Sequence, residues 1–165
     1  MNPKEFALHP TICPLPWTGV YVEPNGNVRN CAISFESLGN LHNQTIESCL
    51  HSDTNKQIKQ DMINKIPHSR CSTCYKVDAL SPNRLSNESN RSWYKKYGIK
   101  ETDMSIYNDP TAFNLSVLDL RWRNTCNQAC VYCGPDLSSK WAQELQNYTW
   151  TIDDATLEKN KEFIF

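Results

Sequence analysis

The chain has 165 residues, of which 39% are hydrophobic and 21% charged, with a net charge of −1 and eight cysteines. This composition indicates one or two globular domains, and the scattered lysines and arginines exclude the basic footprint of a nucleic-acid-binding protein. No run reaches the roughly 18 apolar residues of a membrane span, and the N-terminus lacks the apolar stretch of a signal peptide. We therefore expect a cytoplasmic protein with reduced thiols and no nucleic-acid or membrane partner.

The first predicted element is a β-hairpin that lies between two cysteines. Residues 20–23 and 27–30 have strand character. They are joined through residues 24–26, in which Asn-Gly is a strong hairpin signal because both residues tolerate a positive φ. The hairpin is expected to bring Cys13 and Cys31 close together.

The gap that follows the hairpin is predicted to be helical. Thr45 is suited to cap a helix that begins at Ile46. Ile58, Met62 and Ile66 recur every four residues, which is the spacing of one helix face, until a proline ends the pattern. Such helices would carry the next two cysteines back to the hairpin.

Four cysteines in this half of the chain can form a closed site. The order is a cysteine, then Gly-x4-Cys, then CxxC, formed by Cys13, Gly26, Cys31, Cys71 and Cys74. A structural zinc site can also use four thiols, so the residues alone do not distinguish a zinc site from an iron–sulfur cluster. The arrangement resembles the SPASM/twitch domains that accompany many radical S-adenosylmethionine (radical SAM) enzymes, over about residues 10–80. The resemblance implies that these four cysteines bind an auxiliary 4Fe–4S cluster.

The remaining cysteines separate into a second set and one core residue. No cysteine follows Cys74 until Cys126, so the ligands for the second auxiliary cluster of a full SPASM domain are absent, and we predict the one-cluster, twitch-like form. Cys49 lies with Ile46 and Leu50 on an apolar helix face. Because free cysteine often packs as a small hydrophobic residue, we expect Cys49 in the core.

Residues 81–114 are predicted to be a linker. The stretch is polar and is interrupted by two prolines and a glycine, with one short helix expected near residues 92–97. It would connect an auxiliary domain of residues 1–80 to a second unit of residues 115–165.

A strand, a cysteine loop and a helix are predicted in that second unit. Residues 116–123 alternate apolar and polar side chains, which is typical of a half-buried strand. The CxxxCxxC loop follows, and a turn at residues 134–136 with proline leads into a helix. Four residues at helical spacing form the apolar face of that helix: Leu137, Trp141, Ala142 and Leu145.

The loop supplies three thiols, Cys126, Cys130 and Cys133, and no fourth ligand. A structural zinc site would need a borrowed ligand, because residues 78–165 contain no other cysteine and no histidine. A 4Fe–4S cluster is usually bound by four thiolates, so three leave one iron open to another molecule. CxxxCxxC with an aromatic residue, Tyr132, before the last cysteine resembles the cluster motif of radical SAM enzymes.

This resemblance implies a function for the loop. In the family, the open iron is chelated by SAM, and the residue at the position of Tyr132 lies against the adenine. A reduced cluster then cleaves SAM to methionine and a 5′-deoxyadenosyl radical, which takes a hydrogen from the substrate. The alternative for Tyr132 is packing on the neighbouring helix.

The fold expected from both resemblances is an α+β twitch-like domain, a β-hairpin with helices, followed by the first βα unit of a truncated α/β partial TIM barrel. We expect an N-terminal portion of a radical SAM enzyme that is inactive alone and works with a reductant protein. It would be either a truncated gene product or half of a split enzyme that needs a chain completing the barrel. The substrate is not identified by these residues, although SPASM/twitch enzymes often act on peptides. The alternative function is a non-catalytic zinc- or cluster-binding interaction module.

Overall fold

The computed structural model describes residues 1–34, 36–80, 101–126, 128–131, 133–145 and 152–164. A four-stranded sheet of strand order β3-β2-β1-β4 lies at its centre. The strands are β1 (Gly19–Val22), β2 (Asn27–Arg29), β3 (Gly39–Asn40) and β4 (Val117–Leu120). The helices are α1 (Pro3–Leu8), α2 (Leu15–Thr18), α3 (Ile46–Leu50), α4 (Asp53–Ile63), α5 (Ser72–Leu80), α6 (Ser139–Glu144) and α7 (Asp154–Ile164), with 3₁₀ helices at Ser69–Cys71 and Glu101–Asn108.

Strands β1 and β2 form the predicted hairpin. They pair antiparallel, with Tyr21 opposite Arg29, and the Gly26 amide donates to the Glu23 carbonyl over 2.9 Å. Within this turn only Gly26 has a positive φ, of 83°, so Asn25 does not adopt the left-handed conformation that we expected it to tolerate. The hairpin is confirmed, and its turn has the features of a three-residue loop that ends in a left-handed glycine.

Strand β4 extends the same sheet. It pairs with β1 in parallel, from Gly19 opposite Val117 to Val22 opposite Leu120. The strand predicted to open a barrel is therefore present, and it lies at the edge of the hairpin sheet. The described part of the chain is a mixed structure of helices and one small sheet, which is consistent with an α+β domain, and it contains no partial TIM barrel.

The predicted helical gap is confirmed by α3 and α4, with one correction. The Thr45 hydroxyl accepts a hydrogen bond from the Ser48 amide over 3.1 Å and caps α3. Helix α4 ends at Ile63, because Lys65 has φ 61° and the Ile66 amide donates to the Asp61 carbonyl over 2.8 Å, as in a Schellman motif. Ile66 was predicted on the apolar face, but it lies beyond the helix and is 51% exposed.

Residues far apart in sequence share one hydrophobic core. Met104 and Tyr107, from the second half of the predicted linker, are fully buried, and the Tyr107 ring packs edge-on against Trp17 at 5.5 Å. Helix α7 docks on α3, where the Asn160 side chain accepts from the Ile46 amide over 2.7 Å. The predicted linker helix near residues 92–97 lies outside the described residues, and the domain boundaries stay a prediction.

Lys59 of α4 is buried in this core. Its Nζ donates to the Ala112 carbonyl over 2.7 Å and lies 5.9 Å from the ring centres of Trp17 and Phe113. Burial lowers the pKa of Lys59 to about 8. No helix of the described residues is long and apolar enough to cross a membrane.

Candidate metal centres

The four upstream cysteines line one cavity. Cys13 precedes α2 and β1, whereas Cys31 follows β2, so the antiparallel hairpin places both at the same end of the sheet. Cys71 ends a 3₁₀ helix and Cys74 lies in the first turn of α5. The cavity that all four line has a volume of about 60 Å³. Since one water needs only about 10–15 Å³, this space admits a larger group.

The thiols of this cavity interact electrostatically. Burial, and then the neighbouring Cys31, raises the pKa of Cys13 well above its usual range. Burial, followed by Cys31 and Cys74, raises the pKa of Cys71 to about 12. Four thiolates in this cavity would therefore repel one another at a high cost in free energy. A cationic iron centre removes that cost, so the donor set fits a metal cluster.

The wall of the cavity is set by a buried amide pair and by α4. Asn30, beside Cys31, donates through Nδ2 to Asn55 Oδ1 over 2.7 Å, and Asn55 is fully buried. Ile58 and Met62, one turn apart on α4, also line the cavity. The apolar helix face predicted from the sequence thus forms part of the site.

Two polar residues beside Cys71 were not predicted. The Tyr75 hydroxyl donates to the Thr11 carbonyl over 3.3 Å, and Tyr75 lines the cavity together with Cys71. The Arg70 guanidinium offsets part of the rise in the pKa of Cys71 that burial causes, and it is itself paired with Glu36 at 2.7 Å. The signal for Tyr75 was available in the sequence, because it follows the CxxC pair and is four residues after Cys71, which is one helical turn.

Cys49 is a core residue, as predicted. It is fully buried, and its Sγ lies 3.8 Å from the Gln44 side-chain oxygen. Burial raises its pKa to about 11. It does not line the cavity of the four thiols.

The downstream loop folds around the first turn of α6. The Ser139 hydroxyl donates to the Cys126 carbonyl over 3.0 Å, and the Cys126 amide donates to the same hydroxyl over 3.1 Å. Trp141 Nε1 donates to the Cys130 carbonyl over 2.9 Å, and the Cys133 amide donates to that carbonyl over 2.9 Å. These bonds fix the backbone of all three cysteines against one helix.

The loop thiols interact electrostatically. Partial burial, and then Cys130 and Cys126, raises the pKa of Cys133. Val131 between them is 95% exposed, so the loop borders solvent. Tyr132 lies outside the described residues, and its predicted contact with adenine stays a prediction.

The helix after the loop starts later than predicted. The Ser138 hydroxyl accepts from the Trp141 amide over 3.3 Å and caps α6, which therefore begins at Ser139. Leu137 lies in the preceding turn, and Leu145 follows the helix and is 56% exposed, so these two do not share the predicted apolar face. The last helix, α7, spans Asp154–Ile164.

Among the described residues, no three His, Cys, Asp or Glu side chains are placed to hold one metal ion. The upstream thiols instead surround a cavity, as described above.

Comparison with known families agrees with the upstream site. Residues 13–75 match the SPASM family, an iron-sulfur cluster-binding domain. The matched range begins at Cys13 and ends at Tyr75, so it contains all four cysteines of the cavity. No curated protein and no solved structure matches the chain. Residues 13–75 are therefore similar to an iron-sulfur cluster-binding domain.

Proposed function

We propose that the chain carries two iron–sulfur centres of a radical SAM enzyme. Cys13, Cys31, Cys71 and Cys74 hold an auxiliary 4Fe–4S cluster. A second 4Fe–4S cluster, with one iron open to SAM, is held by the loop of Cys126, Cys130 and Cys133. The observation that carries the proposal is the single cavity lined by four thiols from separate segments, inside the range that matches the SPASM domain.

The upstream residues contribute a closed set of ligands. The cavity supplies four thiol donors, and the high pKa of Cys71 means that iron binding there releases protons. Ile58 and Met62 give part of its wall an apolar surface that excludes water from the centre. The Asn30–Asn55 pair fixes the hairpin end that carries Cys31 against α4.

The loop residues contribute three thiol ligands, which leave one iron of the cluster open. Their backbone groups are bound by Ser139 and Trp141, which leaves the thiols as the donors of the loop. When bound, the loop cluster supplies an electron to SAM, and the auxiliary cluster supplies electron transfer or a substrate contact. Tyr132 is proposed to lie against the adenine of SAM.

The partners of this function are SAM, a reductant protein, a substrate that could be a peptide, and a chain completing the barrel. The sheet supports the last of these, because β4 is its edge strand and pairs with β1 in parallel. Leu118 of β4 is 36% exposed. A further strand would pair with the backbone of this edge, because an edge strand is a template for pairing with another chain.

Anaerobic reconstitution followed by metal and sulfide analysis tests the proposal. We expect a brown protein with broad visible absorption and about eight iron and eight sulfide per chain, because two cubanes hold four of each. A variant with all seven proposed ligands changed to serine is the control for adventitious iron. A colourless protein that contains zinc would contradict the proposal and favour the interaction module.

A second measurement tests the open iron. Adding SAM to the reduced protein is expected to change the electron paramagnetic resonance signal of the loop cluster. The same addition to a variant with Cys126, Cys130 and Cys133 replaced by alanine is expected to change nothing. An unchanged signal in the wild type would remove the SAM part of the proposal and leave the auxiliary cluster intact.

A further inference from the structure

We propose that His9 is a positioning residue for Cys13: its unprotonated Nδ1 holds the two residues that precede this ligand, and protonation of the ring loosens the upstream centre. This inference rests on the proposed function, because it requires a cluster on Cys13. His9 lies before residues 13–75, so the family match assigns it no role.

His9 ends α1 and begins the bend that leads to Cys13. The His9 amide donates to the Phe6 carbonyl over 3.2 Å, which closes the last turn of the helix. The side chain then accepts two hydrogen bonds from the bend, because Nδ1 lies 3.2 Å from the Ile12 amide and 3.4 Å from the Thr11 amide. His9 therefore fixes the path of the chain into the site.

The bend is continuous with the wall of the four-thiol cavity. Thr11 is almost fully buried, and its hydroxyl donates to the Met62 carbonyl over 2.9 Å. The Thr11 carbonyl accepts from the Tyr75 hydroxyl over 3.3 Å. Thr11, Met62 and Tyr75 all line the cavity together with Cys13. A displacement of the bend would therefore move part of the wall and the first ligand at the same time.

The two amides determine the protonation state of the ring. A backbone N–H can only donate, so Nδ1 of His9 is the unprotonated nitrogen of a neutral imidazole. The Thr11 hydroxyl lies 3.4 Å from the same nitrogen, but its proton is directed to the Met62 carbonyl. Thr11 and Ile12 are both buried, so a proton on Nδ1 would leave two buried amides without their acceptor, which is costly.

The charged groups around His9 come from the start of the chain and from the end of α4. A surface cleft lined by His9 contains Glu5 of α1, the amino group of Met1 and Lys65, which follows α4. The Glu5 carboxylate accepts from the Asn2 amide over 2.8 Å and so serves the cap of α1. Burial, and then Lys65, lowers the pKa of His9. The charges therefore act in the same direction as the two amides.

A pH dependence follows from this arrangement. Histidine in the unfolded chain has a pKa of about 6.5, so below that pH the unfolded chain binds the proton more readily than the folded chain. The stability contributed by His9 is fully present above about pH 6.5 and is lost as the pH falls. We expect the upstream centre to release its iron more readily in the same range.

The test measures iron release from the reconstituted full chain, in the background with Cys126, Cys130 and Cys133 replaced by alanine, so that only the upstream centre is followed. The protein is reconstituted at pH 7.5 and transferred to buffers from pH 7.5 to 5.5 that contain an iron chelator. His9→Asn places an amide oxygen where Nδ1 lies, and this oxygen accepts without titrating. Over this range the release rate with His9 should rise roughly fivefold more than with His9→Asn, as for the loss of one net hydrogen bond.

Two further variants complete the comparison. His51→Asn is the matched control, because His51 is exposed and lines neither the four-thiol cavity nor the cleft, and it should leave the pH profile unchanged. His9→Ala removes the acceptor and should release iron faster at every pH. Equal pH profiles for His9 and His9→Asn, or a profile altered equally by His51→Asn, would overturn the role of His9 while the cluster proposal stands.

A second measurement needs no substitution at His9 and decides the question if His9→Asn takes up no iron. Nitrogen NMR of the histidine rings in the reconstituted background protein reports which ring nitrogen carries the proton. The His9 ring should have an unprotonated Nδ1 at pH 7.5 and gain a proton there only below about pH 6.5. A proton on Nδ1 at pH 7.5 would overturn the inference. Absence of iron from the background protein itself would overturn the proposed function instead.

Discussion

The two cysteine sets differ in what assembles them, although all seven of these residues are half-buried. The upstream thiols come from three segments of the chain and meet around a cavity. The loop thiols lie within residues 126–133 and are held by bonds to a single helix turn, beside the exposed Val131. The first set exists only in the folded molecule, whereas the second is defined locally.

The sheet also separates the two sets. Cys13 precedes β1 and Cys31 follows β2, but the loop follows β4, which runs parallel to β1. The two sets are therefore attached to opposite ends of one sheet. Metal at the upstream site should be coupled to folding, because its ligands are brought together by folding. Metal in the loop should depend little on global stability.

The strongest test of this difference is Cys71→Ser. We expect the variant to lose about half of its iron, the four irons of one cubane. We also expect it to lose on the order of 3 kcal/mol of stability or more, or ~10 °C in Tm, because a folding-coupled centre is lost. Iron analysis and thermal unfolding measure both effects. A variant that keeps its Tm while losing the iron would show that the upstream centre is not coupled to folding.

Replacement of Cys126, Cys130 and Cys133 together by alanine is the corresponding test of the loop site. The iron content should again fall by about half. The thermal midpoint should stay within about 1–2 °C of the wild type, because the loop side chains add little to the core. Iron that falls to nothing, or does not fall, would contradict the two-site interpretation.

Lys59 tests the core behind the upstream site through its pH dependence. Its pKa in the folded protein is about 8, against about 10.4 when unfolded, so between these values the unfolded state binds more protons and stability rises with pH. Burial of charged Lys59 therefore costs on the order of 3 kcal/mol of folding stability, and this cost is fully present below pH 8. It disappears as the pH rises to about 10.4.

The measurement for Lys59 is urea unfolding of the wild type and Lys59→Met at pH 7, 8, 9 and 10. Cysteines titrate in the same range in both proteins, so the difference between the two isolates Lys59. The wild type should gain stability relative to the variant as the pH rises. If the difference in unfolding free energy between the two proteins did not change with pH, Lys59 would have its ordinary pKa.

Cys49→Ala should have the smallest effect and serves as the matched control for the ligand variants. Losing one buried sulfur should cost about 1 kcal/mol of unfolding free energy. Iron content should stay at the wild-type value, because Cys49 does not line the cavity. Loss of a whole cluster would show that the ligands are misassigned.

Features that depend on neighbouring residues were predicted well. The hairpin follows from a glycine that accepts a positive φ, and the start of α3 follows from the hydroxyl of Thr45. The failures at the ends of helices have local causes that compete with periodicity. Lys65 terminates α4 before Ile66, and Ser138 starts α6 after the turn. Periodicity alone cannot choose between a continuing helix and a capped one.

The sequence by itself determined the candidate ligands, since the types and spacing of the cysteines predict a closed set of four and an open set of three. Only the tertiary structure decided that β4 joins the hairpin sheet, that Met104 and Tyr107 fill the core beside Trp17, and that Tyr75 lines the cavity of the four thiols. The reason is physical. Ligand chemistry belongs to individual residues, whereas strand pairing and burial depend on which distant segments together exclude the most water.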